Sequence, residues 1–260
     1  MDLQTLGSYF QRMVDDPLRL LRVFISPCAR GILLNSWREP TAYQFLRSIS
    51  AITENSYCRY QDELRSDKNF YISLQTKCLE VRGKELPRPQ GWNELLYILI
   101  RAIKPETIVE TGVFDGISST FILKALSKNN QGQLISVDLP ARKVIPGSTD
   151  FMPFPVLPLH YTPGWLVPDA LRRRWKLHII KEGDELKNIV KNIKSIDIFL
   201  HDSLHTPDHM LWEMTTIWPK LKKGGLLLVD DVFCNCAFEK FSRNVKKEKV
   251  IKYGLGAIRK

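Results

Sequence analysis

From Pro105 onward the chain alternates short apolar, β-branched runs with longer stretches whose apolar positions recur at helical spacing. Residues 107–111, 134–138, 177–180, 196–201 and 226–230 read as strands, and 118–127, 185–193 and 207–221 as helices. Strands that alternate with helices imply a parallel sheet joined by right-handed crossovers, which predicts a doubly wound, Rossmann-like α/β domain with helices on both faces. Before it, Leu18 to Phe24 and Tyr43 to Ile49 carry apolar residues at helical spacing, so residues 1–90 read as a helical N-terminal region. Pro87, Pro89 and Gly91 punctuate its end, and a helix over 92–103 leads into a main domain spanning 91–260.

One segment breaks the alternation. Residues 139–175 hold seven of the fifteen prolines, and a long irregular stretch inside a compact domain is usually a functional cover. It starts at the carboxyl end of a strand, where open α/β sheets bind ligands, so it reads as a candidate lid or as a rigid excursion. Trp165, Pro168 and Trp175 lie in its second half, either covering a site or anchoring the segment to the core.

The strand ends carry the candidate chemistry. Glu110, Gly112, Gly116 and Ser118 sit on the turn from the first strand into the first helix. Glycines there permit a tight turn and close approach of a ligand, and the helix start offers free N–H groups. The spacing E-x-G-x-x-x-G lacks the G-x-G-x-x-G that packs a pyrophosphate, and a leading acid favours a cationic ligand. Asp138 ends the second strand, where a carboxylate can hold both hydroxyls of a ribose; Gly183 and Asp184 follow the third, where an acid can meet an adenine amino group. Strand four ends at His201 and Asp202, strand five at Asp230 and Asp231, and His205 follows closely, so that three carboxylates and an imidazole share one sheet edge. Carboxylates without cysteine suit magnesium, manganese or calcium. His205 is alternatively a general base or a hydrogen bond at a helix entry. Thr206 reads as a helix cap and Pro207 as the first turn, which sends Asp208 and His209 to a helix surface.

Composition adds limits. A chain of 260 residues, 44% hydrophobic and 25% charged, is an ordinary globular protein. Five scattered cysteines suit a reducing cytosol rather than a disulfide framework, and no apolar run approaches the ~20 residues of a membrane span, so a cytoplasmic protein with no membrane partner is expected. The net charge of +10 concentrates in 172–176 and in 240–260, where eight basic residues face a single acid. That distribution keeps nucleic acid open as a partner, although no nucleic-acid-binding motif accompanies it and solvated helix faces explain it as well.

Residues 92–260 resemble a class I S-adenosylmethionine-dependent methyltransferase, and more narrowly the group called methyltransferase domain 24. The runs that carry the resemblance are VETGVFDGISS from Val109, SVDLP from Ser136, GWLVPDALRRRW from Gly164, FLHDSLHT from Phe199 and GGLLLVDDV from Gly224. The resemblance implies a seven-stranded sheet whose last strand is antiparallel, with 250–253 and 255–259 as the final two strands. It implies that Glu110, Gly112, Gly116 and Ser118 lie at the methionine part of S-adenosylmethionine, Asp138 at its ribose, Gly183 and Asp184 near its adenine, and His201 beside it. Catechol O-methyltransferase and its relatives hold a divalent metal with acids from strand ends four and five, which makes Asp202, Asp230 and Asp231 the implied ligands of Mg2+ or another divalent cation. Those enzymes end strand five in Asp-Asn, whereas this chain has Asp-Asp. The expected function is O-methylation of a small hydroxylated or sugar-like acceptor, with His205 and Asp202 catalytic. Two other classes compete with it: a metal-dependent hydroxylase or oxidoreductase on the same fold, and a nucleic-acid-binding protein using the basic C-terminal patch.

Overall fold

The structure is a computed structural model that describes residues 40–86, 91–140, 156–181 and 183–260. Three helices, α1 (Ala42–Ile49), α2 (Glu54–Arg65) and α3 (Lys68–Arg82), precede α4 (Gly91–Ile103), β1 (Thr107–Thr111), α5 (Ile117–Asn129) and β2 (Gln133–Asp138). A 3-10 turn (Asp169–Arg174) leads into β3 (Trp175–Ile179), followed by α6 (Glu185–Lys191), β4 (Ile196–His201), α7 (Pro207–Ile217), β5 (Leu221–Val229), α8 (Ala237–Val245), β6 (Lys249–Lys252) and β7 (Leu255–Arg259). The strands make one sheet in the order β3-β2-β1-β4-β5-β7-β6. Strands β1 to β5 are mutually parallel, while β7 pairs antiparallel with β5 and with β6. Strand order reverses between β1 and β4, so their carboxyl ends bracket the crevice where such sheets bind ligands.

Successive strand residues point to opposite faces, and both faces are covered, which is why the strands carry consecutive apolar residues such as Ile108-Val109, Ile198-Phe199-Leu200 and Leu226 to Val229. Ile108, Leu134, Ile198, Leu200, Leu226 and Leu228 pack in one core with α4 and α5; Val109, Ile135, Val137, Phe199, Leu227 and Val229 pack in a second with α6, α7 and α8. The N-terminal helices share the first core through Phe45, Leu46, Leu64, Phe70, Leu74 and Cys78. Ion pairs tie them to the main domain: Arg101 to Glu63 at 2.7 Å, Arg65 to Glu94 at 2.9 Å and Lys124 to Asp67 at 2.5 Å. Among the described residues no helix is long and apolar enough to cross a membrane.

Three elements differ from the sequence expectation. Strand β3 begins at Trp175, whose indole N–H donates to Ser136 Oγ at 2.8 Å and so extends the pairing toward the amino end. Strand β5 begins at Leu221, directly after a 3-10 turn at Trp218–Lys220, so the helix expected to run to 221 ends at Ile217. Helix α8 hides in the basic C-terminal stretch; it buries Ala237, Phe238 and Phe241 while Lys240 and Arg243 on its other positions mask the apolar period. Much of the basic excess has internal work. Arg243 and Lys249 both pair with Glu239, Lys260 Nζ donates to the carbonyls of Trp218, Pro219 and Leu221, and Arg172 donates to those of Gly164 and Val167.

The proline-rich stretch falls partly outside the described residues, which resume at Val156. Its described part docks on the β1–α5 turn: Gly164 N–H donates to the Phe114 carbonyl at 2.7 Å and Leu166 N–H to the Asp115 carbonyl at 3.0 Å. Gly164 lies so close to the Trp175 indole that a Cβ there would meet it at 2.1 Å. This half is a packed excursion anchored by Trp165 and Trp175, both of which sit in the first core or against it.

Candidate active site at the carboxyl edge

The turn after β1 is shaped by two glycines in the left-handed region, Gly112 (φ 79°) and Gly116 (φ 92°). A Cβ on Gly112 would stand 2.0 Å from the Asp202 carbonyl oxygen, so only glycine lets this turn lie against the end of β4. Asp138, at the end of β2, accepts from the N–H groups of Val113 at 2.6 Å and Phe114 at 2.9 Å through one carboxylate oxygen. Below the turn Glu110 is fully buried and accepts from Ser118 Oγ and Ser119 Oγ, each at 2.6 Å, and from Ser136 Oγ at 2.8 Å. Burial pushes the Glu110 carboxyl up from its ordinary range, and the three hydroxyl donors pull against that. Glu110 and Ser118 therefore brace the turn from beneath.

Along the same edge Gly183 and Asp184 are more open, whereas His201 is fully buried. Asp184 stands at the N-cap position of α6 with its side chain 81% exposed, in an ion pair with Lys187 at 3.1 Å. A Cβ on Gly183 would meet nothing within 4 Å. The acids expected around a nucleoside thus run from a buried turn at Asp138 to an open end at Asp184.

Beside the turn, Asp202, His205 and Asp230 each present a ligand atom, and the three atoms lie within 4.8 Å of one another. His205 and Asp230 are buried and Asp202 half-buried. Pairing of adjacent strands makes this convergence: Asp202 N–H donates to the Thr111 carbonyl and Asp230 N–H to the His201 carbonyl, both at 2.9 Å. The His205 carbonyl accepts from Asn235 Nδ2 at 3.0 Å, which ties the loop after β4 to the loop after β5. Asp231 differs from the sequence expectation. It adopts φ 49° and turns the chain out of the strand, so the group found among the described residues contains His205 in its place.

A further acid escaped the sequence reading. Glu213 on α7 is buried and accepts from Thr111 Oγ1 at 2.6 Å and Ser203 Oγ at 3.0 Å; its two oxygens also meet His201 Nδ1 at 2.6 Å and His209 Nε2 at 3.0 Å. His209 is half-buried in this network, not on a free helix surface, whereas Asp208 is exposed as expected. The missed signal was an acid inside the apolar stripe Met210, Glu213, Met214 and Ile217. Burial lowers the His201 pKa. Burial alone would raise Glu213, but the charge and hydrogen bonds of His201 and His209 outweigh it and hold the carboxyl well below its usual range. His201 Nδ1–H donates to the Glu213 carboxylate, and His201 Nε2 is buried without a hydrogen-bond partner among the described residues.

The pair makes the fold acid-labile. Both folded pKa values lie below the unfolded ones, so their stabilisation is complete above those values and is lost as pH falls, first below 6.5 for His201 and then below 4.5 for Glu213. Glu213→Ala strands the buried His201 donor, at a cost of about 1–3 kcal/mol. Thermal unfolding between pH 8 and 5 checks this: Glu213→Ala, in which His201 stays buried without the carboxylate that raises its pKa, is expected to lose more stability across that range than the wild type. Equal losses would remove the pair from the account.

The sequence profile of a family described as "Methyltransferase domain" matches residues 109–232. No curated protein matches the chain in sequence. Solved structures share the fold. A methyltransferase from Geobacter sulfurreducens is 17% identical with a TM-score of 0.50, covering 74% of this chain and 90% of its own. The O-methyltransferase TomG from Streptomyces achromogenes, solved with S-adenosylmethionine, is 14% identical with a TM-score of 0.51, covering 72% and 88%. An O-methyltransferase from Bacillus cereus, solved with S-adenosylhomocysteine, is 10% identical with a TM-score of 0.50, covering 83% and 100%.

Proposed function

We propose, from the class I methyltransferase domain that this chain carries, that it transfers the methyl group of S-adenosylmethionine to a hydroxyl oxygen of a small hydroxylated or sugar-like acceptor. The observation that carries this reading is the convergence of Asp202, His205 and Asp230 at the strand ends beside the glycine turn. Methyl transfer to a hydroxyl needs the acceptor oxygen in line with the sulfonium methyl and a group that receives its proton. Gly112, Gly116 and Asp138 shape the cofactor side and Gly183 and Asp184 extend it along the edge, while His201, fully buried against Glu213, lies beneath that edge.

The carboxylates of Asp202 and Asp230, converging beside His205, fit a divalent cation. Asp202 and Asp230 are the residues that would hold it. When bound, such a cation supplies a lowered pKa for the acceptor hydroxyl. His205, beside the two acids, is the group that receives the hydroxyl proton on a ring nitrogen. Burial of His205 and Asp230 excludes water from the transfer.

A methyl-transfer screen over hydroxylated metabolites, with and without chelator, tests the reading. Turnover with a true acceptor is expected to fall at least about tenfold in EDTA and to return with Mg2+ or Mn2+. Failure to bind S-adenosylmethionine at millimolar concentration would reject the proposal, and full turnover in EDTA would remove the cation from it.

A further inference from the structure

Arg82 closes helix α3 in the N-terminal layer, outside the segment matched as a methyltransferase domain. Its guanidinium reaches into the cofactor turn: Nε donates to Asp115 Oδ2 at 2.9 Å and Nη2 to Asp115 Oδ1 at 2.5 Å. Both side chains are buried, 8% and 5% exposed. The same Asp115 oxygen accepts the Trp165 indole N–H at 2.7 Å, and the guanidinium stands 5.3 Å from the centre of the Phe114 ring and 5.8 Å from that of Trp165. Asp115 therefore joins the N-terminal layer, the turn and the proline-rich excursion at one carboxylate.

A forked guanidinium on a carboxylate fixes the plane of both groups, which a single ammonium does not. The geometry matters here because Phe114, between Asp115 and Gly112, holds φ 49°, a region that a bulky residue enters only when its surroundings impose it. Asp138 holds the Phe114 N–H from the β2 side. Gly164 N–H holds the Phe114 carbonyl from the excursion side, and the face of Gly116 is closed by Gly164 and Val167, which a Cβ would meet at 2.7 and 2.9 Å. Arg82 supplies the third side by aiming the Asp115 carboxylate at Trp165.

We propose that Arg82 is a positioning residue for the cofactor turn, acting through Asp115 to lock residues 112–116 and 164–167 into the arrangement that receives S-adenosylmethionine. The proposal rests on the reading of that turn as the cofactor site. It makes the N-terminal helices a functional part of the site.

The test uses the full chain as wild type, Arg82→Ala, Arg82→Lys, Asp115→Ala and the Arg82→Ala/Asp115→Ala double variant, titrated with S-adenosylhomocysteine at a temperature where circular dichroism shows all of them folded. Each alanine variant is expected to raise Kd about 10–100-fold, the range for loss of an outer-shell partner. Arg82→Lys is expected to recover only part of the affinity. Because the two residues act as a unit, the double variant is expected to bind no more weakly than the worse single. Hydrogen exchange without ligand gives an independent reading: Arg82→Ala is expected to speed exchange in 112–120 and 164–167 and to leave β5 and β7 unchanged. A folded Arg82→Ala with wild-type Kd, single effects that multiply, or unchanged exchange at the turn would each overturn the proposal. If the wild type takes up no S-adenosylhomocysteine, the cofactor reading fails, while the exchange comparison still decides whether Arg82 positions the turn.

Discussion

Asp202→Asn and Asp230→Asn are each expected to slow methyl transfer on the order of 10²–10⁴-fold, the contribution of a positioned group to proton removal and charge stabilisation. The substitutions keep the shape of the side chain and remove its charge. They leave the backbone bonds from Asp202 to Thr111 and from Asp230 to His201 in place, so the strand ends stay paired. S-adenosylhomocysteine affinity is therefore expected to stay within about threefold of wild type, because the proposed function assigns the acids to the acceptor and Gly112 and Asp138 to the cofactor side. His205→Ala is expected to fall in the same range. Single-turnover rates with the true acceptor, measured beside cofactor titrations, check both halves. Wild-type rates in any of the three, or a loss explained wholly by weaker cofactor binding, would move the acceptor site elsewhere.

Gly112→Ala is expected to be the most damaging glycine-to-alanine change among the described residues. Its Cβ would stand 2.0 Å from the Asp202 carbonyl oxygen, 2.5 Å from that carbonyl carbon and 2.8 Å from Ser203 Cα, all of them backbone atoms that no side-chain rotation can move. Overpacking of a close-packed region costs about 1–3 kcal/mol. The left-handed φ of 79° adds strain of about 1–2 kcal/mol for an alanine. Relief requires the turn after β1 and the end of β4 to separate, which pulls the Asp202 loop away from that turn. Two other glycines isolate the terms. Gly83 has φ 64° with nothing within 4 Å of a Cβ, so Gly83→Ala carries strain alone; Gly183 has neither, so Gly183→Ala is expected to leave thermal stability unchanged. Thermal unfolding and S-adenosylhomocysteine titration of the three variants check the order, and a Gly112→Ala that unfolds like Gly183→Ala would show that the turn is not packed against β4.

Much of the site was legible because its residues are local in sequence. Gly112 and Gly116 announce a turn, and Asp138, Asp202 and Asp230 each follow an apolar run that could only be a strand. Glu213 was not legible in that way, since its partners His201, Ser203 and Thr111 come from two strand ends brought to α7 by the crossover. Asp230 and Asp231 illustrate the same limit. Adjacent in sequence, they are separated by the backbone turn at Asp231, which leaves one carboxylate facing Asp202 and His205. The basic C-terminal stretch misled in the opposite direction, because charge concealed the buried face of α8.

Periodicity and turn chemistry, both properties of short stretches, were enough to specify the alternating strands and helices, the parallel sheet and the strand ends that carry the acids. The company those acids keep was settled by packing: β4 lying between β1 and β5, α7 folding Glu213 under His201, and α3 bringing Arg82 to Asp115 across 33 residues of chain. The physical reason is range. A helix or strand is selected by contacts within a few residues, whereas a buried charge is satisfied by whichever partner the whole fold delivers to it, and no spacing in the sequence encodes that delivery.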